Sequence, residues 1–213
     1  MVIIAACVLV FFYQAQLPGP LGETFIYTYG AIPSVIFGLA ALPNEVLTVP
    51  STLTLISSMF LHGGWMHLIG NMLYLWVFGN NIEDVMGHVR FLAFYVLCGV
   101  IAALSHALTD PSSQIPMVGA SGAISAVLGA YLLLFPRAHV LVFIPGIGMT
   151  RVAAGIVLGM WFLTQVLSGG MSMGSQGGGV AFFAHIGGFV AGMAFIGLFK
   201  RRHVRFFSPG HSR

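Results

Sequence analysis

Val118-Gly119-Ala120-Ser121-Gly122-Ala123-Ile124-Ser125 sets a serine among small residues at the mouth of an apolar run that continues to Phe135. Gly119 and Gly122 keep side-chain bulk away from Ser121, which lets a backbone or a substrate come close to its hydroxyl. The pattern has a second reading, because small residues are also how membrane helices pack tightly. What the rest of the chain brings to that serine decides between them.

Of the 213 residues, 58% are hydrophobic and 6% charged, and the mean hydropathy is +0.96. A water-facing surface cannot be built from such a chain, so it is expected to be a polytopic protein of the lipid bilayer. The formal net charge of +3 gives no basis for a nucleic-acid partner; where the charges lie matters more. Cys7 and Cys98 fall inside apolar runs and are expected to be two buried thiols rather than a disulfide. Met1 leads into Val2 to Val10 without a basic segment, which favours a first membrane helix over a cleaved leader.

Six runs are apolar enough to be membrane helices: Val2 to Leu17, Ile56 to Phe78, Phe91 to Leu108, Ser121 to Phe135, Val152 to Leu167 and Val180 to Phe199. The expected fold is therefore an all-α bundle, one membrane domain over residues 1–213. The fourth run is short for a full crossing at about 1.5 Å per residue, so it is expected to begin inside the membrane. Residues 18–51 hold Pro18, Pro20, Pro33, Pro43 and Pro50 among greasy neighbours and are expected to lie at the interface. Residues 168–179, rich in Gly, Ser and Met, read as a mobile cap, and 200–213 as a tail.

With six spans all eight basic residues, Arg90, Arg137, Arg151, Lys200, Arg201, Arg202, Arg205 and Arg213, fall on one side. The opposite connections contain Glu23, Glu45 and Asp110 and no Lys or Arg. The positive-inside rule then puts both termini in the cytoplasm.

Polar groups within the spans are costly, and the candidates for chemistry are His62, His67 and Asn71 on the second, Ser121 on the fourth and His185 on the sixth. Counted from Ile82, Pro136 and Lys200, the residues His67, Ser121 and His185 each lie about fifteen residues, on the order of 22 Å, from the cytoplasmic end. They share one level. Asn71 is one turn from His67 on the same helical face. On the sixth span, Ala181, Gly188 and Gly192 make one side of the helix nearly smooth, so another helix can approach it closely. If that partner is the fourth helix, Ser121 and His185 come within hydrogen-bond reach.

The motifs His62-Gly63-Gly64-Trp65-Met66-His67-Leu68-Ile69-Gly70-Asn71, Glu83-Asp84-Val85-Met86-Gly87-His88-Val89-Arg90, Gly119-Ala120-Ser121-Gly122 and Ala184-His185-Ile186-Gly187-Gly188 resemble those of the rhomboid intramembrane serine proteases, in that family's order and over nearly the whole chain. The resemblance implies a Ser121–His185 dyad, with His67, Asn71 and the Ser121 backbone N–H as oxyanion donors. It also implies membrane-protein substrates with a transmembrane segment, cut near the extracytoplasmic side, and residence in a bacterial inner membrane. Two departures stand out. Leu53-Thr54 takes the place of the family's Trp-Arg dipeptide, and Ser125 the place of an aromatic residue that packs on the histidine in some members. The orientation of His185 must therefore come from elsewhere.

The chemistry suits these residues. A neutral imidazole can take the serine proton near pH 7 without a fixed charge in the membrane. All five acids sit in connections, so no carboxylate completes a triad, and aspartyl or zinc proteolysis is not expected. His62 and His67, five apart on the expected helix, face poorly for a metal; neither a metal nor a cofactor is expected. Glu83, Gly87 and Arg90 read as a structural turn, and Trp161 and Phe162 as lipid-facing packing in preference to the lining of an entrance from lipid. A catalytically inactive relative that binds membrane helices is the competing reading. Intact Ser121 and His185 speak against it.

Overall fold

The computed structural model describes residues 2–43, 46, 49–172 and 181–208. Glu45, most of the expected cap at 168–179, and His211 and Arg213 of the tail lie outside the described residues.

The apolar runs form helices. The chain passes through α1 (Val2–Gln16), three short helices α2 (Gly19–Tyr29), α3 (Pro33–Ile36) and α4 (Ser51–Ser57), and then α5 (Trp65–Met86) and α6 (His88–Ala107). It continues through α7 (Ser121–Leu134), a hairpin of β1 (His139–Ile144) and β2 (Gly148–Ala153), α8 (Ala154–Ser172) and α9 (Phe182–Phe199). By length and composition α6, α8 and α9 are long and apolar enough to cross a membrane, whereas α1 and α7 are shorter apolar helices. Pro20 and Pro33 stand at the first turns of α2 and α3, where a missing N–H costs nothing.

Three expectations about the elements need correcting. The second span does not run from Ile56: a 3₁₀ turn at Ser58–Phe60 and an open stretch from Leu61 precede α5, which starts at Trp65 and runs on to Met86. His62 thus lies outside the helix. Two of the backbone groups freed by the break are taken by Gln14 of α1, whose Nε2 donates to the His62 carbonyl at 2.8 Å and whose Oε1 accepts the His62 N–H at 3.4 Å.

The all-α description is also incomplete. His139 to Ile144 pairs antiparallel with Gly148 to Ala153, in register from His139↔Ala153 to Ile144↔Gly148. Gly146, at φ +84°, takes the turn conformation that most side chains avoid. Finally, the fifth helix begins at Ala154 rather than Val152 and reaches Ser172, so the start of the expected cap is helical. Its first turn is tied down by Ala154 N–H to the Ala138 carbonyl at 2.7 Å and Gly155 N–H to that of Pro136 at 2.8 Å.

Other expectations agree with the coordinates. Cys7 and Cys98 are buried and free. Gly87, at φ +85°, joins α5 to α6, with its N–H on the Glu83 carbonyl at 2.6 Å and Glu83 Oε1 at 2.7 Å from His88 Nδ1. The chain after α9 folds back: Phe207 and Ser208 donate N–H groups to the carbonyls of Leu133 and Leu134, at 2.9 and 2.8 Å. Those are two of the carbonyls that the end of α7 leaves open.

The helix α7 is the centre of the bundle. Every residue from Gly122 to Tyr131 is buried, and α5, α6, α8 and α9 all pack on it. A helix so enclosed must be apolar all round, which its sequence is. Against α9 the contact is backbone to backbone. A side chain at Gly188 would run into the Gly122 carbonyl, one at Gly192 into that of Ala126, and one at Gly129 into that of Phe189. Dispersion between close backbones, rather than exclusion of water, holds such a pair in lipid.

Candidate active site

The first residue of α7 is Ser121, whose backbone N–H has no partner within its own helix. The segment leading to it is pinned from both sides. Ala31 and Met117 exchange backbone hydrogen bonds at 3.0 and 2.8 Å, and Gly119 N–H donates to the Ser58 carbonyl at 2.9 Å. The close approach of α9 at Gly188 then brings His185, less than one turn earlier, against the start of α7. His185 Nε2 lies 2.8 Å from Ser121 Oγ. His185 is buried, at 9% exposure, while Ser121 is half-buried.

His67 and Asn71 reach the same place from α5. Gly119, at φ +128°, has no side chain, and in that space His67 Cε1 and Nε2 come within 2.7 and 2.8 Å of where one would begin, with Asn71 Nδ2 at 3.8 Å. Gly63 N–H donates to His67 Nδ1 at 3.3 Å. In the neutral ring the proton is then on Nε2, the atom turned toward Gly119. Asn71 Nδ2 is buried and has no hydrogen-bond partner. A buried amide N–H₂ without an acceptor is rare in folded proteins, and here it sits beside the segment that carries the serine.

Two further predicted residues behave differently. Gly122 allows Ala102 Cβ of α6 and Ala184 of α9 to close in on α7. Ala181 stands immediately before α9, and its carbonyl accepts the N–H groups of Ala184 and His185 at 2.9 and 3.2 Å. It starts the helix that carries the histidine.

The reading of Trp161 and Phe162 as lipid-facing needs an addition, because both also pack inward. Both are half-buried. The Trp161 ring lies 5.8 Å from that of His185, and Phe162 stacks on Phe189 at 4.5 Å. One residue absent from the sequence reading also reaches the site: Gln165 of α8, whose Oε1 lies 2.7 Å from His185 Nδ1. A polar side chain inside an apolar helix was the available signal. The Ser125 hydroxyl donates to the Ser121 carbonyl at 2.6 Å.

A buried imidazole in contact with a half-open serine hydroxyl, beside inward-turned N–H donors, can support nucleophilic acyl transfer. The Rhomboid domain model matches residues 50–202. The chain is 28% identical over 193 residues to the mitochondrial rhomboid protein 1 of Saccharomyces cerevisiae, covering 81% of this chain and 52% of that protein. It is 36% identical over 124 residues to a putative rhomboid protease of Bacillus subtilis, 52% of this chain and 61% of the other. It is 39% identical over 94 residues to RHOMBOID-like protein 5 of Arabidopsis thaliana, 44% and 30% of the two chains. The aligned part thus spans between 30% and 61% of the length of these relatives. The matched domain contains all four of Ser121, His185, His67 and Asn71, and the chain is a membrane protein that belongs to the rhomboid family.

Proposed function

We propose that this protein is an intramembrane serine endopeptidase that cuts transmembrane segments of other membrane proteins by a Ser121–His185 dyad. The observation that carries the reading is the 2.8 Å approach of His185 Nε2 to Ser121 Oγ. As Oγ attacks the scissile carbonyl carbon, Nε2 takes the hydroxyl proton. The carbonyl oxygen becomes an alkoxide, and the Ser121 backbone N–H, His67 Nε2–H and Asn71 Nδ2–H are its donors. Collapse of the tetrahedral intermediate breaks the C–N bond, and the imidazolium returns its proton to the leaving amine. Water then attacks the acyl-serine by the same base.

Six spans with both termini in the cytoplasm of a bacterial inner membrane accompany this reading. Ser121 then lies toward the extracytoplasmic side at the head of a short, buried helix, and the basic residues lie on the other side. Labelling by a fluorophosphonate probe tests the chemistry. Wild-type protein is expected to be modified at Ser121 and Ser121→Ala to remain unmodified; equal labelling of both would remove Ser121 as nucleophile.

A further inference from the structure

We propose that Gln165 is a positioning residue for His185, the neutral third member of a Ser121–His185–Gln165 relay supplied by α8. The inference rests on the dyad reading and adds what the five carboxylates of the chain do not provide. None of them lies on α7, α8 or α9.

The direction of the relay follows from its hydrogen bonds. Thr164 Oγ1 donates to the Trp161 carbonyl at 2.6 Å, which leaves its lone pairs open to accept. Gln165 Nε2 lies 3.2 Å from that oxygen and 3.5 Å from the Trp161 carbonyl. The nitrogen end of the amide thus faces acceptors, and the oxygen end faces His185 Nδ1 at 2.7 Å. A carbonyl oxygen only accepts, so Nδ1 must carry the ring proton. Nε2 is left with its lone pair toward Ser121 Oγ, which is the tautomer a general base requires. In the other tautomer two lone pairs would face each other across the Gln165 contact, and Nε2 could take no proton.

The same helix also limits the tilt of the ring. Trp161, one turn before Gln165 on the same face, packs on His185 with the ring planes at 38°. This supplies the wall that Ser125 cannot. An amide suits the site for a further reason: it orients the imidazole and turns a dipole toward the developing imidazolium, without the cost of an ionised carboxylate at membrane depth.

The experiment compares wild type, Gln165→Leu and Gln165→Glu of the full chain in liposomes, following cleavage of a transmembrane peptide against pH together with the rate of fluorophosphonate labelling. The other ionisable groups that act on His185 are His67 on α5 and His106 on α6, and α7, α8 and α9 present no further charge to it. Gln165→Leu is expected to lower kcat and the labelling rate about tenfold to a hundredfold with KM nearly unchanged, since the loss falls on proton transfer. Gln165→Glu keeps an acceptor and adds negative charge, which favours the imidazolium. The acid limb of kcat/KM is therefore expected to move to higher pH by about one unit or more. A purely structural Gln165 would give a lower melting temperature with unchanged kcat and labelling per folded molecule in Gln165→Leu, and a Gln165 held away from His185 would leave the acid limb of Gln165→Glu unmoved; either result overturns the proposal. If Gln165→Leu does not fold, the acid limb of Gln165→Glu alone decides. Wild type that fails to label at Ser121 defeats the dyad itself, a result distinct from a labelled wild type matched by its variants.

Discussion

A side chain at Gly119 would begin 2.7 Å from His67 Cε1 and 2.8 Å from Nε2, so the imidazole of α5 fills the space that residue 119 leaves empty. Gly119 also holds φ +128°, which an alanine tolerates poorly. Gly119→Ala is expected to destabilise the fold by about 1–3 kcal/mol through backbone strain. By displacing His67 it should also slow cleavage at least about tenfold per folded molecule. Thermal melts and cleavage rates on one preparation check both effects; a normal rate from folded Gly119→Ala would separate His67 from the chemistry.

Asn71→Ala is expected to lower kcat by more than it raises KM, because a donor aimed at the oxyanion counts most as charge develops. Losing one such donor in serine proteases costs on the order of 3 kcal/mol. A smaller loss is expected here, since the Ser121 N–H and His67 remain and water can replace part of an amide's role. Unchanged kcat with a lowered melting temperature would make Asn71 a helix tie only.

Packing between α7 and α9 should govern the dyad distance. Gly192→Val drives a branched side chain into the Ala126 carbonyl and is expected to cost about 1–3 kcal/mol or more, with loss of Ser121 labelling as the helices part. Gly159→Ala on α8, where a Cβ meets nothing within 4 Å, is the control and should keep both stability and labelling. Equal behaviour of the two variants would break the link between backbone contact and the site.

Orientation can be read with single cysteines. Cys7 and Cys98 are buried, so background labelling should be low. In intact cells whose outer barrier has been opened, Ser112→Cys should react with an impermeant maleimide and His203→Cys only after the inner membrane is permeabilised. The reverse pattern would invert the proposed topology.

Much of this molecule was legible in its sequence, and the omissions have physical causes. Ser121, His185, His67 and Asn71 stood out because polar groups inside apolar runs need a reason, and they do converge. The break before α5 was hidden because Met59-Phe60-Leu61 carry the apolar run up to it; Gly63-Gly64 marks it, and Gln14, distant in sequence, satisfies the His62 backbone. The hairpin carried a signal in the alternating Val140, Val142 and Ile144 of β1 and in Pro145-Gly146. Arg137 and Arg151 mask it, because they make the segment read as a basic connection. Gln165 lay two residues from the expected end of its span, where a polar side chain normally meets the membrane surface. With α8 running to Ser172, it sits well inside the helix and faces His185.

The central claim is that Ser121 and His185 act as one catalytic unit, and peptide-cleavage rates of Ser121→Ala, His185→Ala and the double variant, purified and shown to be folded, test it most directly. Each single substitution is expected to abolish cleavage and the double to be no worse than either, because neither residue has a role without the other. Clear residual cleavage by folded Ser121→Ala, or losses that multiply in the double variant, would contradict the account.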